Sequence, residues 1–308
     1  MILVTGGAGF IGSHTVDCLL AQGRRVRVLD NFSTGRRENL PTHPMLEVVR
    51  GDIADHACVE QAMVGVSAVL HLAAQVSVQA SIDEPLASAR SNISGFLTVL
   101  EAARRAGVAR FVYASSAAVY GTPAHLPLDE EAPIRPLSPY GLEKSINDQY
   151  AALYRQLHGL SSLGLRYFNV YGPRQDPRSP YAGVISKFID RLKSRSPLSI
   201  FGDGLQTRDF VFVKDVARAN VQALGGDVIG VCNIATGTSV TLLQMIDALG
   251  LAAGCTPVVE HLPAKDGDIR DSATLVGRMN GELGVTAQIK LEEGLAQLWE
   301  SSCGATSV

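Results

Sequence analysis

The chain has 308 residues, of which 46% are hydrophobic and 19% charged, and its net charge is −3. This length favours two domains and leaves room for a large buried core. The slight negative charge argues against electrostatic binding to nucleic acid or to an anionic membrane surface, so we expect a small-molecule partner.

The five cysteines and seven histidines are spread through the chain without the spacing of a metal site. We therefore expect no bound metal. We expect the thiols to be free, in a reducing cytoplasm. The first residues enter an apolar strand and a glycine-rich loop, which leaves no room for a signal peptide. No apolar run reaches the length of a membrane span, and the expected location is cytoplasmic.

The first half alternates short apolar runs with longer amphipathic stretches, the rhythm of strands joined by crossover helices in a parallel sheet. It predicts strands at residues 2–5, 25–30, 46–51, 68–72, 110–115 and 162–167. It predicts helices at residues 11–21, 85–106 and 139–157. The proline-rich loop at residues 121–138 is a candidate lid or substrate wall.

The predicted fold class is α/β, with a Rossmann-type doubly wound parallel sheet and a smaller C-terminal α/β domain. We place the first domain at residues 1–170 and the second at residues 171–308. Residues 211–233 are a candidate for return to the first domain.

A glycine-rich loop follows the first predicted strand and opens the first helix. Gly6, Gly9 and Gly12 permit a tight turn and let backbone amides approach a pyrophosphate. Asp30 ends the next strand, where its carboxylate can accept hydrogen bonds from both hydroxyls of an adenosine ribose. The pattern predicts a dinucleotide site. Asp30 would repel a 2′-phosphate, which favours NAD over NADP, although Arg36 and Arg37 lie close enough in sequence to blur that preference.

Tyr140 and Lys144 lie four residues apart near the start of a predicted helix, so they share one helical face. An isolated phenol titrates near ~10 and is a poor base at neutral pH unless a neighbouring ammonium and the positively charged nicotinamide stabilise its phenolate. Lys144 is placed to supply that charge. Ser116 lies at the C-terminal end of a predicted strand, where ligands gather in open parallel sheets, and its hydroxyl can hydrogen-bond a reacting hydroxyl.

With these motifs the chain resembles the extended short-chain dehydrogenase/reductases and, among them, the UDP-hexose 4-epimerases. The resemblance covers nearly the whole chain. It rests on the glycine loop, Asp52-Ile53, His71-Leu72-Ala73-Ala74, Ser115-Ser116-Ala117-Ala118-Val119-Tyr120-Gly121, Tyr140/Lys144, Leu165-Arg166-Tyr167-Phe168-Asn169, Phe201-Gly202-Asp203-Gly204, Gln206-Thr207-Arg208-Asp209-Phe210-Val211 and Gly267-Asp268.

The resemblance assigns roles residue by residue. The implied NAD-binding residues are Gly6, Gly9, Phe10, Ile11, Gly12, Asp30, Asn31, Asp52, Ile53, Leu72, Ala73, Ala74, Tyr140, Lys144 and Tyr167. The implied substrate-binding residues are Ser116, Asn169, Val184, Phe201, Arg208, Asp268 and Ser272. Among them, Tyr167 would press on the nicotinamide, Asn169 and Arg208 would hold the UDP diphosphate, Phe201 would lie by the uracil, and Asp268 would reach the uridine ribose. Lys265 stands where the family has an arginine, which keeps the charge but weakens a bidentate contact.

The implied reaction is epimerisation at C4, with Ser116, Tyr140 and Lys144 as the catalytic residues. Tyr140 would remove the 4-hydroxyl proton while hydride leaves C4 for NAD⁺, and hydride would return to the opposite face of a transient 4-keto sugar. Dehydratases and decarboxylases of this family use acidic residues just after the serine, where this chain has Ala117 and Ala118. Epimerisation therefore ranks above 4,6-dehydration, with a carboxylate from elsewhere left open.

The position of Ser272 bears on the choice of sugar, since the resemblance associates a small side chain there with room for a 2-acetamido group. We expect UDP-N-acetylglucosamine and UDP-N-acetylgalactosamine, with UDP-glucose and UDP-galactose alongside. Arg270 leaves a UDP-glucuronate 4-epimerase open, because a guanidinium can pair with a uronate carboxylate. A non-catalytic NAD-binding regulator is the alternative from another class. The resemblance also implies a homodimer paired through the helices predicted at residues 85–106 and 139–157.

Overall fold

The computed structural model describes residues 1–176, 183–264 and 269–304. The strands are β1 (Ile2–Thr5), β2 (Val26–Asp30), β3 (Leu46–Arg50), β4 (Ala68–His71), β5 (Arg110–Ser116), β6 (Ser162–Tyr167), β7 (Asn169–Tyr171), β8 (Leu198–Phe201), β9 (Thr207–Arg208), β10 (Phe210–Phe212), β11 (Gly230–Ile234), β12 (Val240–Thr241) and β13 (Val259–Leu262). The α-helices are α1 (Phe10–Ala21), α2 (His56–Met63), α3 (Val78–Asp83), α4 (Pro85–Ala89), α5 (Phe96–Arg105), α6 (Pro139–His158), α7 (Val184–Lys193), α8 (Val213–Gly225), α9 (Leu242–Ala253), α10 (Gly277–Gly281) and α11 (Leu291–Gly304).

Seven strands form one parallel sheet in the order β11-β6-β5-β4-β1-β2-β3. The α/β prediction is confirmed, and the six strands predicted from the sequence are present with ends that differ by at most one residue. Strands such as β1 and β6 are buried along their whole length, as expected when helices cover both faces of a parallel sheet. The strand order reverses between β1 and β4, so the crevice for a ligand opens beyond the C-terminal ends of these two strands.

The seventh strand comes from far along the chain. β11 pairs with β6 in parallel register, from Gly230 opposite Leu163 to Ile234 opposite Tyr167. The helix before it, α8, places Val216 and Ala219 in the same apolar cluster as Val4 of β1. The segment after β7 thus supplies both a strand and a covering helix to the central sheet.

The helix predicted at residues 85–106 is divided. α4 and α5 are separated by a π-helical turn, Arg90–Gly95, in which Asn92 is buried. The Asn92 side chain bonds both backbone groups of Gln75, which ties the turn to the segment after β4. Single π-helical turns occur often beside functional sites, and periodicity alone does not distinguish them from α-helix.

Helix α6, which carries Tyr140 and Lys144, has strong start and stop signals. Ser138 accepts a hydrogen bond from the Gly141 amide, Pro139 occupies the first turn, and Gly159 ends the helix with φ +70°. These are the cap residues that favour a helix at this position. The predicted helix at 139–157 is confirmed and extends by one residue to His158.

The smaller part of the protein packs beside this sheet. It contains the two-stranded pairs β7–β10, β9–β12 and β8–β13, with an apolar cluster contributed by α7, α9 and α11. The proline-rich segment at residues 121–138 is pinned to this part, because Leu128 pairs with Thr274 and its amide donates to the Ala273 carbonyl at 2.8 Å. None of the helices in the described ranges is long and apolar enough to span a membrane.

Asn220 connects three elements of the central layer. Its side chain accepts from the Tyr167 hydroxyl on β6 at 2.7 Å and donates to Thr15 Oγ1 on α1 at 2.9 Å. Replacing Asn220 by alanine leaves these buried hydroxyls without a partner, so we expect the free energy of unfolding to fall by about 1–3 kcal/mol. Urea denaturation measures the loss. Gln222→Ala, on the exposed side of the same helix, is the control, and equal midpoints for the two variants would contradict the prediction.

Candidate active site

The glycine-rich loop between β1 and α1 is shaped for close approach of a ligand to the backbone. Gly6 has φ +68°, and a Cβ atom there would lie 2.7 Å from the Ala73 nitrogen. A Cβ at Gly12 would lie 2.2 Å from the Gly6 carbonyl oxygen. Gly9 caps α1 with an extended backbone and without a side chain. The loop therefore presents bare amides at a helix N-terminus, the arrangement that accommodates a pyrophosphate.

Asp30 lies beside this loop at the end of β2. Its carboxylate accepts hydrogen bonds from the Ala8 amide at 2.9 Å and from the Phe32 amide at 2.8 Å. These contacts fix the carboxylate at the edge of the crevice, where it can accept from ribose hydroxyls. A Cβ at Gly35 would lie 3.0 Å from both carboxylate oxygens, so this glycine also shapes the site, although the sequence analysis did not identify it.

The two arginines near Asp30 have partners within the protein. Arg36 pairs with Asp176, and Arg37 donates to the Leu40 carbonyl at 3.0 Å. Both guanidinium groups already have partners within the protein. Arg36 and Arg37 therefore weigh less against the preference for NAD over NADP. The arrangement around Asp30 favours NAD over NADP.

The other residues assigned to the cofactor lie around the same crevice or in the core behind it. Leu72 and Ala73 follow β4 and donate from their amides to Thr5 at the end of β1. Asp52 caps the turn after β3 by accepting from the Ala54 amide, and the neighbouring Ile53 is 7% exposed. The remaining assigned positions are Phe10 and Ile11 in the first turn of α1, Asn31, which caps Ser33, Ala74, which is half-buried, and Tyr167, whose ring is buried and whose hydroxyl bonds Asn220.

Ser116, Tyr140 and Lys144 come together at the end of β5. Ser116 caps a 3₁₀ turn, Ala117–Val119, and lies close enough to the Tyr140 phenol to lower its pKa. Lys144 is 3% exposed, donates to the Ala114 carbonyl at 2.9 Å, and lies 5.8 Å from the centre of the Tyr140 ring. The three side chains form one cluster at the C-terminal edge of the sheet.

The electrostatics of this cluster show that Lys144 alone does not make Tyr140 a base. Burial raises the pKa of Tyr140, Glu143 adds to the rise, and the hydrogen bond from Ser116 opposes it. Burial also lowers the pKa of Lys144 to about 8, against the attraction of Asp148 and Glu143. The protein by itself therefore holds a neutral phenol, and a further positive charge in the pocket is needed to favour the phenolate.

Three hydrogen bonds that hold Tyr140 and its helix in place could not be predicted from the sequence. The Ser81 hydroxyl accepts from the Tyr140 amide at 3.1 Å. The buried Glu143 carboxylate accepts from Ser88 at 2.8 Å and from Asn92 at 2.6 Å. These contacts attach the catalytic helix to α3, α4 and the π-helical turn, and they depend on pairings between residues distant in sequence.

The predicted substrate residues form a second group around β9. Arg208 donates to the Thr207 and Arg270 carbonyls at 2.8 and 3.1 Å. The Ser272 amide donates to Thr207 Oγ1 at 3.2 Å. This bond holds Ser272 next to the residue that precedes Arg208. Asn169 is exposed, and its amide donates to the Asp209 carbonyl at 3.1 Å. The Arg208 guanidinium and the Asn169 backbone amide are therefore both held by backbone carbonyls next to β9.

Other predicted substrate positions are less closely connected. Phe201 ends β8 with 37% of its surface exposed, and Val184 begins α7 half-buried. Arg270, considered above as a partner for a uronate, pairs with Asp203 at 2.8 Å. Asp268 and Lys265 lie outside the described residues. Within the described ranges, no group of three or more His, Cys, Asp or Glu residues could hold a metal ion.

Comparison with known proteins supplies the family. Residues 2–235 match the NAD dependent epimerase/dehydratase family. The chain belongs to this family. It is 42% identical over 301 residues to a putative UDP-glucose 4-epimerase of Methanocaldococcus jannaschii, covering 97% of each chain.

Two solved structures extend the comparison to bound molecules. A UDP-N-acetylglucosamine 4-epimerase from Methanobrevibacter ruminantium M1, in complex with UDP-N-acetylmuramic acid, is similar with a TM-score of 0.95 and 36% identity, covering 99% of this chain and 98% of that one. MoeE5, in complex with UDP-glucuronic acid and NAD, has a TM-score of 0.89 and 36% identity, covering 99% of each chain. The cofactor of this family is NAD. It fits the loop at Gly6 and Gly12, which lacks side chains, and the oriented Asp30 carboxylate.

Gly12→Ala tests the cradle, because the added Cβ would collide with the Gly6 carbonyl and displace the loop. We expect NAD affinity to fall about tenfold or more, equivalent to ~1.4 kcal/mol, as measured by calorimetric titration of protein stripped of cofactor. The control is Gly281→Ala, where a Cβ would have no neighbour within 4 Å. Unchanged affinity in folded Gly12→Ala would contradict the proposed role of the loop.

Proposed function

We propose that the protein interconverts the 4-epimers UDP-N-acetylglucosamine and UDP-N-acetylgalactosamine, and that it also accepts UDP-glucose and UDP-galactose. The observation that carries this proposal is the cluster of Ser116, Tyr140 and Lys144 at the C-terminal edge of the sheet. The cluster contains a proton acceptor, a hydroxyl that hydrogen-bonds it, and a buried cation. These are the groups required to transfer one proton at a sugar hydroxyl.

Each side chain of the cluster has its own role in the proposed mechanism. Tyr140 Oη takes the proton of the sugar 4-hydroxyl and later returns it. Ser116 Oγ hydrogen-bonds the reacting oxygen and limits its movement. Lys144 Nζ, held by the Ala114 carbonyl, provides a positive charge near the Tyr140 ring. NAD, when bound, supplies the acceptor and donor of hydride at C4.

Arg208 and Asn169 would hold the diphosphate while the sugar turns over. A planar guanidinium matches phosphate oxygens and remains charged at every physiological pH. Its position beside the Arg270 carbonyl leaves it anchored at one end of the crevice. Fixed anchoring of the nucleotide is what permits the sugar to present either face without escaping.

The absence of acid groups next to Ser116 supports epimerisation over elimination. Ala117 and Ala118 follow the serine in the 3₁₀ turn and carry no proton donor or acceptor. The two carboxylates buried near the catalytic helix are directed inward: Glu143 toward Ser88 and Asn92, and Asp148 toward Arg166. Dehydration needs an acid and a base at neighbouring carbons, and the described residues of this cluster offer neither.

Ser272 supports the acetamido sugars. Its backbone is fixed by Thr207, and its side chain is small, so the space beside it remains available for a 2-acetamido group. UDP-glucuronate is the second candidate, since MoeE5 binds this sugar nucleotide. The pairing of Arg270 with Asp203 favours a neutral sugar, because the guanidinium already has an anionic partner.

Proton NMR of the anomeric region, after mixing the NAD-loaded protein with UDP-N-acetylglucosamine, tests the proposal. We expect the galacto epimer to accumulate without added cofactor, and Tyr140→Phe to lower the rate by about 10²-fold or more through loss of the proton acceptor. The same spectra with UDP-glucose and UDP-glucuronate serve as comparisons. Turnover of UDP-glucuronate alone would overturn the sugar assignment, and full turnover by Tyr140→Phe would overturn the mechanism.

A homodimer is the proposed assembly, and it is supported by exposed apolar side chains on α3, α4 and α6. These are Val78, Ile82, Leu86, Leu142, Leu153 and Leu157, each at least 44% exposed. The helices α3, α4 and α6 contact one another, and exposed apolar side chains on neighbouring helices favour association with another copy.

Leu86→Glu tests this surface, because burying a carboxylate against a second copy is unfavourable. We expect sedimentation velocity to show a dimer for the wild type and a monomer for the variant. Leu251→Glu, at a site 82% exposed at the end of α9, is the matched control and leaves the dimer intact. A dimer that persists in Leu86→Glu would place the interface elsewhere.

A further inference from the structure

Asp148 is a buried acid that the proposed mechanism leaves without a task. It lies one helical turn after Lys144 on α6, on the side that faces the sheet. Its carboxylate accepts from the Tyr113 hydroxyl on β5 at 3.0 Å and from Arg166 on β6 at 3.1 Å. A buried carboxylate is costly unless it is paired, so its retention in this helix calls for a physical reason.

We propose that Asp148, fixed by Arg166 and Tyr113, is a positioning residue that keeps Lys144 cationic and so sets the upper pH limit of turnover. This inference rests on the proposed function, because it concerns the charge that Lys144 supplies to Tyr140. Asp148 itself does not reach the reacting atoms.

The charges around Lys144 make Asp148 the principal compensating group. Lys144 is 3% exposed and donates a hydrogen bond to the neutral Ala114 carbonyl, so burial works against its charged form. Burial lowers its pKa to about 8, and the attraction of Asp148, followed by that of Glu143, opposes this change. An opposite charge nearby is the standard way to retain a buried cation.

Glu143 is less suited to this task. Its carboxylate is bound by Ser88 and Asn92, and it raises the pKa of Tyr140 as well as that of Lys144. Glu143 therefore stabilises the charged form of Lys144 but destabilises the phenolate of Tyr140. Asp148 is not among the groups that shift the pKa of Tyr140, so of these two side chains it acts on Lys144.

The other groups around Lys144 do not duplicate this effect. Burial lowers the pKa of His71 on β4 to about 3, and burial raises that of Tyr113 well above its ordinary value, so both are neutral at working pH. From α3, α4 and the π-helical turn come the uncharged side chains of Ser81, Ser88 and Asn92. Arg166 is the remaining charge, and it pairs with Asp148.

Arg166 also favours the ionised form of the Asp148 carboxylate. Burial raises the pKa of Asp148, and the charge of Arg166 opposes that rise. The guanidinium is held in turn by the Tyr120 hydroxyl at 2.8 Å and by the Glu130 carbonyl at 3.2 Å. The counter-charge of Lys144 is thus anchored to the proline-rich segment at residues 121–138.

The test variant is Asp148→Asn, whose amide oxygen can still accept from Tyr113 or Arg166 but carries no charge. Without the carboxylate, the pKa of Lys144 is lower. As pH rises through this lower pKa, Lys144 becomes neutral and no longer stabilises the Tyr140 phenolate. We expect the alkaline limb of the pH profile of kcat/KM to move down by about 1 unit. A purely structural role would lower the rate at every pH and leave the limb in place.

The second readout does not depend on activity. NMR of isotope-labelled lysine side chains in the NAD-loaded protein follows the titration of Lys144 Nζ, whose signal is assigned by its loss in Lys144→Met. We expect the midpoint to fall by about 1 unit in Asp148→Asn. An unchanged midpoint would overturn the inference, even if the protein proved inactive as an epimerase. Loss of epimerase activity with the expected shift would instead count against the proposed function alone.

Glu60→Gln is the matched control for both readouts. Glu60 lies on α2 and pairs with Arg105 at 3.7 Å on the surface, so this variant removes an acid from an arginine pair away from Lys144. We expect it to leave the alkaline limb and the Lys144 midpoint unchanged. A shift of the same size in this control would show a general effect of net charge and would overturn the role assigned to Asp148.

Discussion

The burial of Lys144 is the constraint on which the catalytic half of the structure depends. A cation removed from water needs nearby anions or dipoles, and these must be held in place by groups that are themselves satisfied. The Ala114 carbonyl supplies a dipole from β5, and Asp148 and Glu143 supply charge from α6. Each carboxylate then requires its own partners, which explains why β6 carries a buried arginine and why the π-helical turn carries a buried asparagine.

These contacts connect the active site to the rest of the fold. Arg166 bonds Tyr120, and the Tyr120 hydroxyl donates to Asn233 on β11 at 2.7 Å. Asn233 in turn contacts Thr274 at 3.0 Å, beside the point where Leu128 pairs with the smaller part of the protein. A chain of buried hydrogen bonds therefore runs from α6 to the proline-rich segment at residues 121–138. Such a chain holds its members in one arrangement, because a broken link leaves a buried polar group unsatisfied.

Much of this architecture follows from local patterns. Apolar runs predicted the first six strands to within one residue, and the Ser138, Pro139 and Gly159 signals marked the ends of α6. The glycine loop and Asp30 predicted the dinucleotide crevice because their chemistry depends on neighbours in sequence. The π-helical turn, by contrast, interrupts a pattern that is uniformly helical. α2 and α3 were also missed, although Asp55 and Ser77 cap them, because their short apolar faces give little periodicity.

The partners of buried charges could not be predicted in the same way. Nothing in the spacing of Asp148 and Arg166, or of Glu143 and Asn92, indicates that they meet, since the contacts arise only after the sheet is assembled. The electrostatic balance was missed for the same reason. The spacing of Tyr140 and Lys144 predicted mutual stabilisation of charge, whereas burial acts on both groups at once and favours their neutral forms.

This balance has a consequence for when the site is reactive. Burial keeps water away from the place where a proton and a hydride must be exchanged, but it raises the pKa of Tyr140 and lowers that of Lys144. The hydrogen bond from Ser116 lowers the pKa of the phenol, yet it is outweighed in the protein alone. Tyr140 is therefore a poor base until the pocket holds additional positive charge. In the proposed mechanism, proton removal is thus confined to the loaded site, where the proton and the hydride would both have an acceptor, and an empty pocket would not carry a reactive phenolate.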